Sequence, residues 1–121
     1  MRLLLDNCVD VHAKPLFVGH DVVHVLDRGW DGLINGKLIT TAADGGFQVL
    51  VTVDKNLRYQ QNLEKLPLSV LELDVLKNRL EELRRMVPFI PKALEHTSRF
   101  RFVSIKPDGT IECLAERVSG G

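Results

Sequence analysis

Two aspartates, Asp6 and Asp54, each close a short apolar run: LLLD over residues 3–6 and VLVTVD over residues 49–54. Runs this short and apolar suit strands buried on both faces of a parallel sheet. The carboxyl ends of such strands open onto the crevice where ligands bind. Two carboxylates delivered to that rim can share Mg2+ or Mn2+, hard cations that take oxygen ligands and keep several waters. Water on such a cation attacks a phosphodiester, and the cation's charge offsets what builds on the phosphoryl oxygens. Asp10, Asp27, Asp31 and Asp44 are the candidates for a third acid. The competing use of a strand-end aspartate is to cap the turn or helix that follows.

The strip after Asp54 supplies what an RNA substrate would need beside that site. Lys55 and Arg58 can hold phosphates, Asn56 and Gln60 can reach base edges, and Tyr59 can stack on an unpaired base. The plainer alternative is a solvated loop with Tyr59 packed on the domain. Trp30, in the Gly- and Asp-rich loop DRGWDGLING, is expected to anchor that loop. His20 and His24 are four apart on a strand and make weak metal ligands. Arg79, Arg84, Arg85, Arg99 and Arg101 read as a solvated face whose charge Glu81 and Glu82 partly offset.

The elements that must carry these residues follow from periodicity. Strands are expected at residues 2–6, 21–26, 48–53 and 68–73, with helices near 9–17 and over KLITTAA before the Gly45–Gly46 stop. Leu80, Leu83, Val87 and Ile90 recur at helical spacing, and Pro88 and Pro91 divide that stretch into one helix ending near Met86 and another around 92–96. RFVSIKPDGTIECL alternates on both sides of PDG and predicts a hairpin. Strand alternating with helix gives an α/β fold with a mainly parallel sheet, in which right-handed crossovers bring Asp6 and Asp54 to one edge.

Composition sets the bounds. The 121 residues, 45% apolar and 26% charged, form one ordinary globular domain. The net charge is zero, but residues 1–54 carry four Lys/Arg against seven acids, all Asp, while the remainder is net basic. Cys8 and Cys113 fit no zinc or redox spacing and are expected to be buried free thiols. No stretch approaches the roughly 18 apolar residues of a membrane span and no signal peptide opens the chain, so a cytoplasmic protein is expected.

The run MRLLLDNCVD, then GHDVVHVLDRGW, then NGKLITTAADGGFQVLVTVDKNLRYQQNL resembles the PIN-like domains of unknown function, relatives of the PIN-domain ribonucleases of VapC-type toxins. The resemblance spans residues 1–96. It implies a three-layer α/β/α PIN-like sandwich with a mainly parallel central sheet of about four strands, and leaves residues 97–121 as a C-terminal β-hairpin extension and tail. It further implies Mg2+- or Mn2+-dependent RNA cleavage, a toxin role in a toxin–antitoxin type system with a small antitoxin partner, and homodimers. Asp6 matches the first acidic ligand and Asp54 the strand-end acid of the T-x-D signature. The chain departs from the pattern with Asn7 in place of a Glu and Asn35-Gly36-Lys37 in place of an acid, so Asn7, Asn35 and Asp31 become the supplementary metal candidates. Two alternatives stand beside the nuclease: a catalytically weak or inactive module that holds RNA or a protein, and a receiver-like phosphoacceptor, which Asn7 disfavours because that site uses an acidic pair after its first strand.

Overall fold

The apolar runs become strands because each alternates between two buried faces. In the computed structural model, which describes residues 1–118, they are β1 (Arg2–Leu5), β2 (Asp21–His24), β3 (Val49–Thr52), β4 (Ser69–Leu73), β5 (Phe100–Ile105) and β6 (Ile111–Glu116). The tail expected at residues 119–121 lies outside the described residues. One six-stranded sheet results, in the order β2-β1-β3-β4-β5-β6. The first five strands are parallel and β6 returns antiparallel to β5. The chain is therefore α/β with a mostly parallel sheet. It holds more than the expected four strands because β5 pairs directly with β4, so the hairpin extends the sheet.

Two apolar cores form, one on each face. Leu3, Leu5, Val49, Val51, Leu71, Leu73, Val103 and Ile105 point to one side. They meet Ala13 and Phe17, α3 (Leu80–Arg85) through Leu83, and α4 (Ile90–His96) through Ile90, Ala93 and Leu94. Leu4, Leu50, Val70 and Phe102 point to the other, against α1 (Asn35–Asp44) through Leu38, Ile39 and Ala42, and α2 (Leu57–Gln60) through Leu57. No helix among the described residues is long and apolar enough to cross a membrane.

Several elements are shorter than periodicity suggests. The helix expected near 9–17 is a 3₁₀ segment, Val11–Leu16, containing Pro15 and capped by the Asp10 carboxylate on the His12 N–H. The second strand stops at His24, whose Nδ1 accepts from Leu26 N–H while the Asp27 carboxylate accepts from His24 N–H, and this reciprocal cap starts a turn. Handedness also departs from expectation. The β3–β4 and β4–β5 connections step the same way across the sheet but cross opposite faces, so they are of opposite hand. At β6, Ala115 adopts a left-handed φ of 58° and the Arg101–Ala115 pair drops out of the ladder.

Candidate functional site

In the order β2-β1-β3 the chain winds outward from β1 in both directions, so the rim between β1 and β3 is the switch point where open α/β sheets bind ligands. Asp6 and Asp54 both stand there. Asp6 is buried, and its backbone N–H continues the ladder to Val51 O at 2.8 Å. Its Oδ1 accepts from Asn7 N–H at 2.8 Å and its Oδ2 from the Thr52 hydroxyl at 2.8 Å. That hydroxyl oxygen in turn accepts from Asp54 N–H at 3.0 Å, so Thr52 ties the two aspartates together. Asp54 Oδ1 accepts from Asn56 N–H at 2.9 Å and Oδ2 from Asn35 Nδ2 at 3.4 Å.

An open cleft of about 480 Å³ lies over this rim, lined by Asp6, Asn7, Asp31, Asn35, Asp54 and Asn78, with Cys8 at its wall. Of the expected third acids, Asp31 alone reaches it. Asp10 and Asp27 are occupied as caps, and Asp27 also pairs with Lys14. Asp44 lies at the far end of α1, beside the Gly45 carbonyl that accepts from Arg2 at the start of β1. His24 is fully buried, with Nε2 on Val9 O at 2.7 Å, which leaves it no ligand role. Trp30 packs edge-on against Phe47 at 6.1 Å and does not line the cleft.

Cys8 departs from the expected buried thiol: it follows β1 on the rim and is exposed, while Cys113 is half-buried on edge strand β6. The Cys8 sulfur itself turns inward, 3.6 Å from Asp6 Oδ2 and 3.5 Å from Thr52 Oγ1. Desolvation of the sulfur, then the Asp6 charge, pushes the thiol pKa up, so it is no activated nucleophile.

Sequence reasoning missed a polar layer. Thr52 is in register with Glu72, Glu72 with Ser104, and Ser104 with Glu112, on four successive strands. Glu72 is 1% exposed, accepts from Ser104 Oγ at 2.8 Å and from Arg58 Nη2 at 2.9 Å, and keeps Oε2 without a partner. Arg58 is thereby drawn off the surface. Its guanidinium lies over Phe102 at 4.9 Å and within 2.9 Å of Glu112 Oε1, a charge contact without an aligned hydrogen bond. One step nearer the rim, Asp74 pairs with Lys55 at 3.1 Å and Lys106 at 3.4 Å. Burial works against the Asp74 charge, but the two lysines outweigh it and hold the carboxyl below its ordinary range.

The proposed RNA strip therefore separates. Arg58 is committed to buried Glu72 and half-buried Glu112 and Lys55 to Asp74, the Asp54 carboxylate accepts from Asn56 N–H, and the Gln60 side-chain oxygen accepts from Asn35 at 3.3 Å. Tyr59 stands 81% exposed. A signal for the layer exists in the sequence: T-V-D (52–54), E-L-D (72–74) and S-I-K (104–106) repeat polar, apolar, charged at three strand ends.

Among the described residues, no three His, Cys, Asp or Glu side chains gather tightly enough to hold one ion. The fitting set is smaller. Asp6 Oδ2 accepts from Thr52 and, more weakly, from the Cys8 thiol, but Asp6 Oδ1 and both Asp54 oxygens accept from one donor each and keep a free lone pair, and Asn35 spends its NH2 group and keeps its amide oxygen. Two carboxylates with amide oxygens suit Mg2+ or Mn2+ when substrate phosphates and water complete the shell. No protein family, curated protein or solved structure matches the chain in comparison with known proteins.

Proposed function

We propose that the chain is a PIN-like, metal-dependent ribonuclease, with residues 1–96 forming a three-layer α/β/α unit and residues 97–121 its hairpin extension and tail. The observation that carries this reading is the shared cleft of Asp6 and Asp54 at the β1–β3 switch point. Asp6 and Asp54 would hold Mg2+ or Mn2+, with Asn7, Asn35 and Asp31 around them. When bound, the cation supplies a nucleophilic water and offsets charge on the phosphodiester. Thr52 and Asn7 N–H fix Asp6, while Asn56 N–H and Asn35 fix Asp54, so the carboxylates are held in place before substrate arrives. Exposed Tyr59 would stack a base. Ile34 and Leu76, 80% and 76% exposed on loops at the same rim, would meet a small antitoxin in a toxin–antitoxin type system.

A second reading, an RNA- or protein-binding module without hydrolysis, is favoured by the neutral Asn7 and Asn35 at the cleft. One experiment separates the two. Wild type, Asp6→Asn and Asp54→Asn are incubated with structured RNA and Mn2+. The nuclease reading expects cleavage that both variants lose by about a hundredfold or more. RNA retention without cleavage in any form would establish the binding module instead. Equal cleavage by all three would exclude this cleft as the source.

A further inference from the structure

The opposite edge of the sheet carries a second cavity, of about 310 Å³, between the starts of β3, β4 and β5. Phe47, Val49, Pro67 and Leu68 supply apolar lining, and Gln48 and Arg117 are among its polar lining. Arg117 is half-buried, and its Nη2 donates to Ser69 Oγ at 2.7 Å. Arg101 is also half-buried, and its Nη1 donates to the Leu66 carbonyl, next to the cavity wall, at 2.6 Å. Among the described residues neither guanidinium pairs with a carboxylate, because the neighbouring Glu116 pairs with Arg99 at 3.2 Å.

Partly buried cations ordinarily find an acid. Here burial and the charge of Arg101 both act against the charge on Arg117. Two half-buried guanidiniums without a carboxylate partner among the described residues, Arg117 on the cavity lining and Arg101 behind it, make a position where a dianion lowers the energy of the fold. The planar fork of Arg117 keeps donors beyond the Nη2 bond, and such forks match phosphate oxygens in pairs. Gln48 Oε1 accepts from Arg2 N–H, which leaves its NH2 group as a further donor at the cavity. The site stands apart from the aspartate cleft, at the other end of the strands.

We propose that this cavity binds a phosphate dianion, free or as the monoester of a small organic molecule, with the phosphate on Arg117 and any organic body against Phe47, Pro67 and Leu68. It is independent of the ribonuclease reading. The test titrates the full chain with inorganic phosphate, adenosine monophosphate and chloride at matched ionic strength, following backbone amide NMR shifts of Thr97, Ser98 and Arg117. Saturable shifts with phosphate or the monophosphate, absent with chloride, are expected. Tighter binding of the monophosphate would identify an organic ligand, and equal binding the free ion. Arg117→Gln should weaken binding about tenfold or more, whereas Arg84→Gln, at an exposed position of α3, should not change it. Arg117→Lys keeps the charge without the fork and should bind weakly while folding normally, which separates ligand loss from loss of the Ser69 contact. Shifts as large with chloride, or undiminished in both Arg117 variants, would overturn the proposal.

Discussion

Thr52 and Asp6 are joined across two neighbouring parallel strands, the threonine hydroxyl donating to Asp6 Oδ2 at 2.8 Å while its oxygen accepts the Asp54 N–H at 3.0 Å. One buried hydroxyl thus sets the position of both carboxyl-bearing residues at the rim. Thr52 is fully buried, so water cannot replace either bond if the hydroxyl is removed.

Thr52→Val keeps the shape of the side chain and deletes the hydroxyl. The Asp6 carboxylate and the Asp54 N–H each lose a partner, and a loss of about 2–4 kcal/mol is expected. Urea denaturation measures it, with Thr52→Ser close to wild type. A Thr52→Val protein as stable as wild type would show that the hydroxyl is dispensable.

Arg58 and Glu72 form the most buried ion pair in the polar layer, with side chains 13% and 2% exposed. Arg58→Met leaves a buried carboxylate beside an already unpartnered Oε2 and should cost about 3–5 kcal/mol. Combining it with Glu72→Gln should recover a large part, which a double-mutant cycle reads directly. Additive losses would contradict the pairing.

Acid stability should depend on Lys106. Asp74 and Glu112 each meet opposition from burial, but their cationic partners hold both below the usual carboxylate range. Their folded pKa values lie below the unfolded ones, so the unfolded chain binds more protons in acid. The stabilisation is present above about pH 4 and is lost as pH falls through the folded values. Lys106→Met should move the acid-unfolding midpoint, followed by circular dichroism, to higher pH. An unchanged midpoint would dismiss the linkage.

Cation binding should raise thermal stability if the cleft holds one. At a hundredfold excess over its Kd, Mn2+ would add about 2.7 kcal/mol. Asp6→Asn and Asp54→Asn should each abolish the rise in Tm. A flat titration of the wild type would remove the two-carboxylate site and favour the non-hydrolytic module.

Gly109 closes the β5–β6 turn at φ 89°, and a Cβ there would lie 2.4 Å from Phe89 Cζ. Gly109→Ala therefore combines a left-handed alanine with a collision against the α3–α4 corner. More than about 1 kcal/mol of stability should be lost in urea denaturation. Phe89→Ala in the same chain should relieve the collision and leave the backbone term.

The elements were legible where side chains repeat with a clear period. LLL, VLVT and LSVLEL announce strands, KLITTAA before two glycines announces α1, and PDG announces the hairpin turn. The joining of β5 to β4 was not legible, because pairing between distant strands leaves no mark on either run. The aspartates themselves were readable from their places at strand ends. The fate of Arg58 was not: a cation beside an exposed tyrosine reads as surface until Glu72, fourteen positions on, proves to be its partner. Asp10, Asp27, Asp31 and Asp44 could not be sorted by type, since capping and cleft-lining use the same side chain.

The left-handed Ala115 near the end of β6 bears on how the molecule behaves in a crowd of its own copies. An outermost strand with free backbone donors and acceptors is a template on which another chain can zip. Where Arg101 and Ala115 drop out of pairing, the regular spacing of those groups is interrupted. A left-handed alanine costs about 1 kcal/mol or more, and the break it makes leaves β6 a poorer template for a further strand than an unbroken edge would be.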